Sequence, residues 1–347
     1  MRLLIAGGGT GGHLFPALAV ARAYRAEEPD GAVLVVGRAG GPEEQLVPAA
    51  GFELETVHIR GLDRDAPWKN VALPALVPVA VRAALHIVDR FRPDVVLGMG
   101  GYVMAPSVAA ARMRRIPYVL HEKDVRPGLA TRYFAGRAAA VCTTLPGTEK
   151  RLPGVRVVLT GVPLRAGFQP RTPDVPPRRL LVMGGSQGAR HLNQAVWSAL
   201  DDLCSRFEEV IHVAGAQGTE GIASHARPGY TGLPFVEDMP ALMARADLIV
   251  CRAGVGTIAE AALVGLPMIL VPGTFGGGHQ EENATAMVDA GAAVRVADAE
   301  LTGETLLRCI GGLTGERLRA MARASAAIGR PDAAQRVLTV LHEVARR

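Results

Sequence analysis

Short apolar runs alternate with longer segments of helical spacing along almost the whole chain. The apolar runs are rich in valine, isoleucine and leucine and lack strict alternation, which is typical of strands buried on both faces of a parallel sheet. Most of the intervening segments are long enough for one helix each. The runs predict strands over residues 33–37, 95–97, 118–121, 140–143, 157–160, 210–214, 248–251, 268–271 and 293–296.

The opening pattern of the chain recurs near its middle. Residues 2–8 read RLLIAGG and residues 179–185 read RLLVMGG, and each copy is followed by further glycine and a helix-like segment. Each copy therefore predicts a strand, a glycine turn and a helix. We predict an α/β fold made of two doubly wound domains, each of which begins with its own strand–turn–helix unit.

The predicted domains cover residues 1–162 and 163–325. Five prolines between residues 163 and 178 predict an extended linker at the start of the second domain. Residues 326–347 predict a C-terminal helix, because Ala334, Val337, Leu338 and Leu341 follow helical spacing. That helix either closes the second domain or returns to the first.

Composition narrows the class of protein. With 347 residues, 49% of them hydrophobic and 20% charged, the chain has enough apolar side chains for two large cores, which excludes wholesale disorder. The net charge of +5 favours an anionic substrate or an anionic membrane surface. No long Lys/Arg run and no basic stripe interleaved with aromatic residues is present, so we expect no nucleic-acid partner.

Cysteine spacing and the length of the apolar runs indicate the compartment. The four cysteines form no CxxC pair, so we interpret them as small buried apolar residues rather than zinc ligands or disulfides. The first apolar run is too short for a signal peptide, and no stretch approaches the about 20 apolar residues of a transmembrane helix. We therefore expect a cytoplasmic location.

The first glycine turn, Gly7-Gly8-Gly9-Thr10-Gly11-Gly12, fits G-x-G-x-x-G after a predicted strand. Such turns let a phosphate approach the backbone at a helix N-terminus. A dinucleotide site would also need a carboxylate after the second strand, where this chain has Arg38, so an enzyme that binds NADP through Arg38 stays an alternative. His13 follows the turn and is a candidate base, or else a helix-capping residue.

Further polar groups lie in or just after three later glycine-rich turns. Ser186 lies in the turn at residues 184–188, where its hydroxyl suits a phosphate oxygen. Glu260 follows the turn at residues 252–257 and suits either a ribose diol or the positive end of a helix. Gln280 follows the glycine-rich residues 273–278 at the start of a predicted helix, where α/β proteins bind ligands.

These turns, in this order, resemble those of the MurG family, the bacterial N-acetylglucosaminyltransferases that convert lipid I to lipid II in peptidoglycan synthesis. The resemblance implies the GT-B fold, in which two Rossmann-like domains face a cleft. It extends over nearly the whole chain and is carried by GGGTGGHLFPALAVA at 7–21, PDVVLGMGGYVMAPS at 93–107, GGSQGARHLNQA at 184–195, FVEDM at 235–239, CRAGVGTIAEAALVGLP at 251–267 and HQEENA at 279–284.

The resemblance also implies which residues meet the donor, UDP-N-acetylglucosamine, in the C-terminal domain. Glu260 would bind the ribose, the backbone at Val236 the uracil, and Gln280 the sugar hydroxyls. The remaining donor contacts would be those of Ser186, Val255, Gly256 and Thr257 with the diphosphate, and of Arg165 with the nucleotide. In the N-terminal domain, Thr10, Gly11, Gly12 and His13 would face the lipid-linked acceptor and the transferred sugar.

The implied reaction inverts the anomeric carbon, so that an α-linked donor gives a β-glycoside. It needs a base at the acceptor hydroxyl, for which His13 and Asp124 are the candidates. Helix N-termini after the glycine turns would stabilise the departing UDP, so we expect no metal and no other cofactor. The rival hypotheses are an epimerase acting on the same nucleotide sugar and a binding protein without turnover.

This chain departs from the family pattern in several segments, of which HEQN lies on the acceptor side. The family segment HEQN is His121-Glu122-Lys123-Asp124 in this chain, and the family segment GNPVR is GVPLR, with Val162 in place of asparagine. The donor motifs agree better than HEQN does. A MurG-like transferase of a secondary-metabolite pathway, with a different acceptor, therefore stays the alternative function.

The stretch from Trp68 to Arg82 predicts docking on an anionic membrane surface. Residues 72–81 are apolar, Lys69, Arg82, Arg60 and Arg64 flank them, and tryptophan suits the headgroup region. The alternative is a helix buried against the sheet. Because a lipid-linked acceptor must be reached at a membrane, we expect a peripheral protein on the cytoplasmic face of the cell membrane.

Overall fold

The computed structural model describes residues 1–62, 67–185, 188–274 and 278–346. The chain divides into two compact units: unit 1 comprises Met1–Arg165 and the C-terminal segment from Asp332, and unit 2 comprises Ala166–Pro331. Each unit is built on one parallel sheet with helices between its strands. The prediction of two doubly wound α/β domains is confirmed.

Thirteen strands form the two sheets within the described residues. Those of unit 1 are β1 (Arg2–Ala6), β2 (Ala32–Arg38), β3 (Glu53–Val57), β4 (Val95–Gly98), β5 (Tyr118–Glu122), β6 (Ala140–Thr143) and β7 (Val157–Leu159). Those of unit 2 are β8 (Arg179–Met183), β9 (Glu209–Val213), β10 (Tyr230–Leu233), β11 (Leu248–Cys251), β12 (Met268–Leu270) and β13 (Ala293–Arg295).

The α-helices are α1 (Gly11–Glu27), α2 (Glu43–Ala49), α3 (Leu73–Phe91), α4 (Ala105–Met113), α5 (Leu129–Phe134), α6 (Arg190–Ser198), α7 (Leu200–Arg206), α8 (Thr219–Ser224), α9 (Met239–Arg245), α10 (Val255–Val264), α11 (His279–Asp289), α12 (Gly303–Gly311), α13 (Gly315–Ile328) and α14 (Ala333–Ala345). Short 3₁₀ helices span Pro67–Ala72, Ala135–Arg137, Thr148–Arg151, Ala216–Gly218 and Asp298–Glu300.

The strand order places a topological switch point in each sheet. In unit 1 the order is β3-β2-β1-β4-β5-β6-β7, and in unit 2 it is β10-β9-β8-β11-β12-β13. The chain direction of the crossovers therefore reverses between β1 and β4, and between β8 and β11. In open α/β sheets, ligands bind outside the carboxyl ends of the strands at such a point.

Alternate residues of β1 enter two separate cores, as expected for a strand covered on both faces. Leu3 and Ile5 pack in the core that contains α1 and α14. Leu4 and Ala6 pack in the core that contains α3 and α4. This double burial explains why the strand is a continuous apolar run in the sequence.

Helix α14 packs on α1 in unit 1. Val337, Leu338 and Leu341 lie in the core that β1 and α1 share. The helix begins at Ala333, whereas α13 extends to Ile328 in unit 2. The boundaries between the units thus fall after Arg165 and Pro331, a few residues beyond those drawn from the sequence.

Two strands, β3 and β10, are absent from the sequence prediction, and each lies at one edge of its sheet. Glu53 and Glu55 interrupt the apolar pattern of β3, and every residue of β10 is only half-buried. Both strands have one neighbour and are only partly buried, and their composition lacks the apolar run that identifies a central strand.

The proposed docking stretch is largely exposed, and the part of α3 that follows it is buried. Trp68 and Val71, in the first 3₁₀ helix, are 71% and 81% exposed, and Val79 in α3 is also exposed. Ala80, Ala84 and Ile87 of α3 are buried in the core of unit 1. The buried-helix alternative thus describes only the C-terminal part of α3. Arg64 lies outside the described residues. No described helix is long and apolar enough to cross a membrane.

Candidate functional site

In unit 1, the loops after β1, β4 and β5 meet at the switch point. Gly8 and Gly9 have φ values of 145° and 77°, which side-chain-bearing residues rarely adopt, and they turn the chain into α1. Thr10 is the extended N-cap residue, and Gly11, Gly12 and His13 form the first helical turn. The predicted acceptor-side residues therefore lie together at the N-terminus of α1.

The His13 ring packs on the glycine turn that follows β4, at Gly100 and Gly101. A Cβ atom on Gly100 would lie 3.2 Å from His13 Cδ2, and one on Gly101 would lie 3.3 Å from His13 Cε1. Both glycines also have positive φ values, 83° and 69°. Glycine is needed there because a larger residue would be strained and would press on the imidazole.

The His13 imidazole is neutral at physiological pH. Its Nδ1 lies 3.0 Å from Thr10 Oγ1. Burial of the ring, together with the nearby Lys123 ammonium and His121 side chain, lowers the pKa of His13 from 6.5 to about 3. A neutral imidazole has the lone pair that a general base needs.

The segment after β5 is held by buried polar contacts. His121 is buried and its Nε2 lies 3.0 Å from the Gly161 carbonyl oxygen, and burial lowers its pKa to about 4. The buried Glu122 carboxylate accepts hydrogen bonds from the backbone N–H groups of Gly128, at 3.0 Å, and Asp124, at 3.3 Å. Burial raises the pKa of Glu122. Asp124 is therefore half-buried in a loop that Glu122 organises.

Lys123 is a site residue that sequence reasoning missed. Its Nζ atom lies 3.0 Å from the position that a Cβ atom on Gly12 would occupy, so the ammonium group reaches the first turn of α1. The only signal for it in the sequence was the replacement of the family's HEQN by HEKD. Lys123 adds a positive charge where α1 already presents the positive end of its dipole.

In unit 2, glycines of three loops face open space. No described atom lies within 4 Å of a Cβ built on Gly185, Gly254, Gly256 or Gly278. These glycines follow β8, β11 and β12, at the carboxyl edge of the sheet. A ligand could therefore approach the backbone of all three loops. Ser186, in the first of these loops, lies outside the described residues.

The N-terminus of α10 borders this open space. Gly254 is the N-cap residue, Val255 is buried, Thr257 is half-buried and Gly256 is exposed. Glu260 lies in the second turn of the helix, where its side chain is half-buried. Its charge reaches Cys251 at the end of β11: burial raises the pKa of that thiol to about 12, and the Glu260 carboxylate contributes.

Buried amide side chains connect the loops of unit 2. Gln280 is buried and its Oε1 accepts a hydrogen bond from the Gly273 N–H at 2.8 Å. Asn283 is buried and its Nδ2 donates to the Ala253 carbonyl at 3.3 Å. Helix α11 thus fixes the loop after β12 and the turn before α10.

Arg252 is a second residue that sequence reasoning passed over. Its Nη1 donates to the carbonyl oxygens of Val271, at 3.2 Å, and Pro272, at 3.4 Å, and to Asp298 Oδ1 at 2.5 Å. It therefore joins the ends of β11 and β12. An arginine directly after a buried strand was the available signal.

The two other predicted nucleotide contacts, Val236 and Arg165, are not part of these three loops. Val236 is half-buried between β10 and α9, beside the exposed Phe235. Arg165 is exposed at the end of the first segment of unit 1. Within the described ranges, no group of three or more His, Cys, Asp or Glu side chains could hold a metal ion.

Comparison with known proteins identifies the family. The N-terminal domain of glycosyltransferase family 28 matches residues 3–143, and its C-terminal domain matches residues 179–337. Two bacterial relatives, from a Nocardioides species and from Syntrophotalea carbinolica, are both 40% identical to the chain. The first alignment covers 99% of this chain and 98% of the relative, and the second covers 99% of each. Both relatives are named UDP-N-acetylglucosamine–N-acetylmuramyl-(pentapeptide) pyrophosphoryl-undecaprenol N-acetylglucosamine transferase.

A solved structure agrees with this result. The crystal structure of Acinetobacter baumannii MurG superimposes with a TM-score of 0.81 and 30% sequence identity, over 99% of each chain. The likeness thus extends over both units and is not confined to the glycine turns. The chain belongs to the MurG family of glycosyltransferases.

Proposed function

We propose that the protein transfers N-acetylglucosamine from UDP-N-acetylglucosamine to undecaprenyl-diphosphate-linked N-acetylmuramyl-pentapeptide, which converts lipid I to lipid II. The assignment of the donor site rests on the open space around four glycines of unit 2, which are Gly185, Gly254, Gly256 and Gly278. The names of full-length relatives at 40% identity support the choice of donor and acceptor.

On the donor side, the N-terminus of α10 faces the diphosphate. Backbone N–H groups at Val255, Gly256 and Thr257 and the helix dipole stabilise the negative charge that develops on departing UDP. Glu260 accepts hydrogen bonds from the ribose hydroxyls. Gln280 uses its Oε1 to fix Gly273, so its NH₂ group is the part that reaches a sugar hydroxyl. Ser186, Val236 and Arg165 complete the proposed nucleotide contacts.

On the acceptor side, His13 removes the proton. The acceptor hydroxyl oxygen forms a bond to the anomeric carbon while the bond from that carbon to the UDP oxygen breaks. The electron pair of the broken bond leaves with UDP, and the hydroxyl proton passes to His13. Thr10 orients the imidazole through the contact at Nδ1. Asp124 is the other candidate base.

Because the pKa of His13 is low, proton transfer to His13 depends on a charge that the bound acceptor brings. An imidazole with a pKa of about 3 is a weak base in the free protein. An anionic diphosphate bound beside Lys123 would offset the positive charge there and raise the pKa of His13. Binding of the acceptor would thereby activate its own base.

Lys123 and Asp124 give a specific reason to consider that the acceptor is a different molecule. They introduce one positive and one negative charge into the loop that faces the first turn of α1. A transferase of a secondary-metabolite pathway would have the same donor site and a different group beside this loop. The donor assignment is common to both functions.

The exposed apolar side chains before and within α3 are the proposed membrane contact. Trp68, Val71 and Val79 are exposed, and Arg82 beside them is exposed as well. Insertion of these side chains among anionic headgroups would place unit 1 beside a lipid-linked acceptor. The proposed location is the cytoplasmic face of the cell membrane, without a spanning helix.

A transfer assay with radiolabelled UDP-N-acetylglucosamine tests the function. We expect label in a lipid I analogue, and little in other prenyl diphosphates or soluble sugars. Preferred transfer to another acceptor would support the alternative function. Release of UDP without an acceptor would favour an epimerase, and nucleotide binding without turnover on any acceptor would favour a binding protein.

A pair of glycine variants tests the donor site. Gly256→Val fills the open space beside α10 and should abolish UDP binding measured by calorimetry. Gly136→Val is the matched control, because Gly136 is exposed and also faces open space, in unit 1. Normal UDP binding by Gly256→Val would contradict the assigned donor site.

A further inference from the structure

We propose that Glu43 is a positioning residue for the transfer reaction, whose buried carboxylate fixes the turn at residues 7–9 and thereby the place of Thr10 and His13. This inference rests on the proposed function for its kinetic part. Glu43 begins α2, far from the glycine turn in the sequence, and no motif points to it.

The Glu43 side chain occupies a space that three glycines leave. It is fully buried, and its Oε1 accepts a hydrogen bond from the Gly9 N–H. A Cβ atom on Gly8 would overlap Oε1, and one on Gly41 would overlap Oε2. A Cβ atom on Gly37 would lie 2.8 Å from the Glu43 Cβ and Cγ atoms. The loops after β1 and β2 are therefore shaped around one carboxylate.

The burial of this group is costly. A buried carboxylate needs hydrogen-bond partners to offset the loss of water, and Oε2 has none among the described residues. An apolar side chain of similar size would fill the space without that cost, but it could not accept the Gly9 N–H. The hydrogen bond to the Gly9 N–H is therefore the advantage that glutamate has over an apolar side chain at this position.

The hydrogen bond from the Gly9 N–H to Glu43 also bears on whether this glycine motif binds a phosphate. In a phosphate-binding turn, the backbone N–H groups point at the ligand. Here the Gly9 N–H already meets a protein carboxylate, whose charge also disfavours an anion on that part of the turn. The turn at residues 7–9 is therefore a rigid support, which argues against the NADP alternative.

Gly9 is also close to side chains that follow the glycine turn after β4. A Cβ atom on Gly9 would lie 3.2 Å from both Tyr102 Oη and Val103 Cγ2. Glu43 and Tyr102 thus both confine Gly9, four residues before His13. A misplacement of about 1 Å at a reacting group costs up to about 100-fold in rate.

Two substitutions at Glu43 test the proposal. Glu43→Ala removes the acceptor of the Gly9 N–H, and we expect kcat to fall about 10- to 100-fold with the KM for the donor unchanged. Glu43→Gln retains an oxygen acceptor of the same shape, and we expect its kcat to remain within about threefold of wild type. Wild-type kcat in Glu43→Ala, or an equal loss in both variants, would overturn the proposal.

A third variant separates positioning from general destabilisation. Phe52→Leu creates space in the core that Val47 of α2 also enters, and it should lower Tm without changing kcat. If it lowers kcat as much as Glu43→Ala at an equal loss of Tm, Glu43 has only a structural role and the proposal fails.

Hydrogen exchange provides a readout that does not need an acceptor. Amides of residues 8–13 should exchange faster in Glu43→Ala than in wild type, and at the wild-type rate in Glu43→Gln. If wild type transfers no sugar to lipid I while this exchange pattern is observed, the proposed function fails and the positioning of the turn stands. Unchanged exchange in Glu43→Ala would overturn the positioning itself.

Discussion

Thr10 Oγ1 and His13 Nδ1 lie 3.0 Å apart within the first turn of α1. Thr10 is the N-cap residue, yet its side chain makes no capping hydrogen bond to the helix backbone. N-cap threonines commonly bond the N–H of the second or third helical residue. The hydroxyl is thus directed to the His13 ring, which fixes the orientation of the imidazole.

His13→Ala should lower kcat by about 100- to 10,000-fold, the usual effect of losing a general base. UDP affinity should be unchanged, since the proposed nucleotide contacts lie almost entirely in unit 2. Thr10→Val should give a smaller loss of kcat, because the ring remains and only its orientation is released. Steady-state kinetics and UDP titration check both variants; normal turnover by His13→Ala would exclude His13 as the base.

The pH dependence of kcat/KM tests whether the Lys123 charge lowers the pKa of His13. The base must be neutral, so activity falls as pH drops through its pKa. In the free enzyme that pKa is about 3, so titration of His13 should cause no loss of kcat/KM between about pH 8 and pH 5. Lys123→Gln removes a positive charge, which raises the pKa of His13 and should move the acid limb to higher pH.

The control for this profile is Lys150→Gln, since Lys150 is exposed in a 3₁₀ helix of the same unit and does not contribute to the pKa of His13. An acid limb that stays in place, or moves to lower pH, in Lys123→Gln would contradict the assigned influence of Lys123.

Glu260→Ala should raise the KM for the donor and the Kd for UDP. Loss of a hydrogen bond to a charged group costs about 1.5–3 kcal/mol, or about 10- to 150-fold in affinity. Glu304→Ala is the control, because Glu304 is an exposed helix carboxylate that pairs with Arg308 four residues on. A drop in Tm with an unchanged KM would indicate that Glu260 serves only the helix.

Membrane docking is measured by co-sedimentation with vesicles of phosphatidylglycerol and phosphatidylcholine. Wild type should pellet at low salt and be released as salt increases, because anionic lipids attract the basic residues. Trp68→Ser with Val71→Ser should reduce binding, since both side chains are exposed. Met113→Ser is the control: Met113 is an exposed apolar side chain of the same unit, 60% exposed at the end of α4 and outside the proposed docking stretch. A wild-type protein that stays in the supernatant at low salt would refute the docking proposal.

The sequence by itself determined the fold class and the family. Central parallel strands such as β1 and β8 are buried on both faces, so each is a continuous apolar run followed by a glycine turn. Those turns need particular residues at adjacent positions, which makes Gly7–Gly12 and the stretch before Glu260 recognisable without coordinates. Edge strands β3 and β10 lack this double burial and were missed.

Only the tertiary structure decided which side chains surround His13. Lys123 reaches Gly12, the Gly100–Gly101 backbone supports the imidazole, and Glu43 lies beneath Gly9, although these residues come from four separate segments of the chain, which follow β1, β2, β4 and β5. Such contacts depend on strand order and on the paths of the crossovers, which no local pattern encodes. The low pKa of His13 has the same origin, because burial and neighbouring charge are properties of the assembled sheet edge.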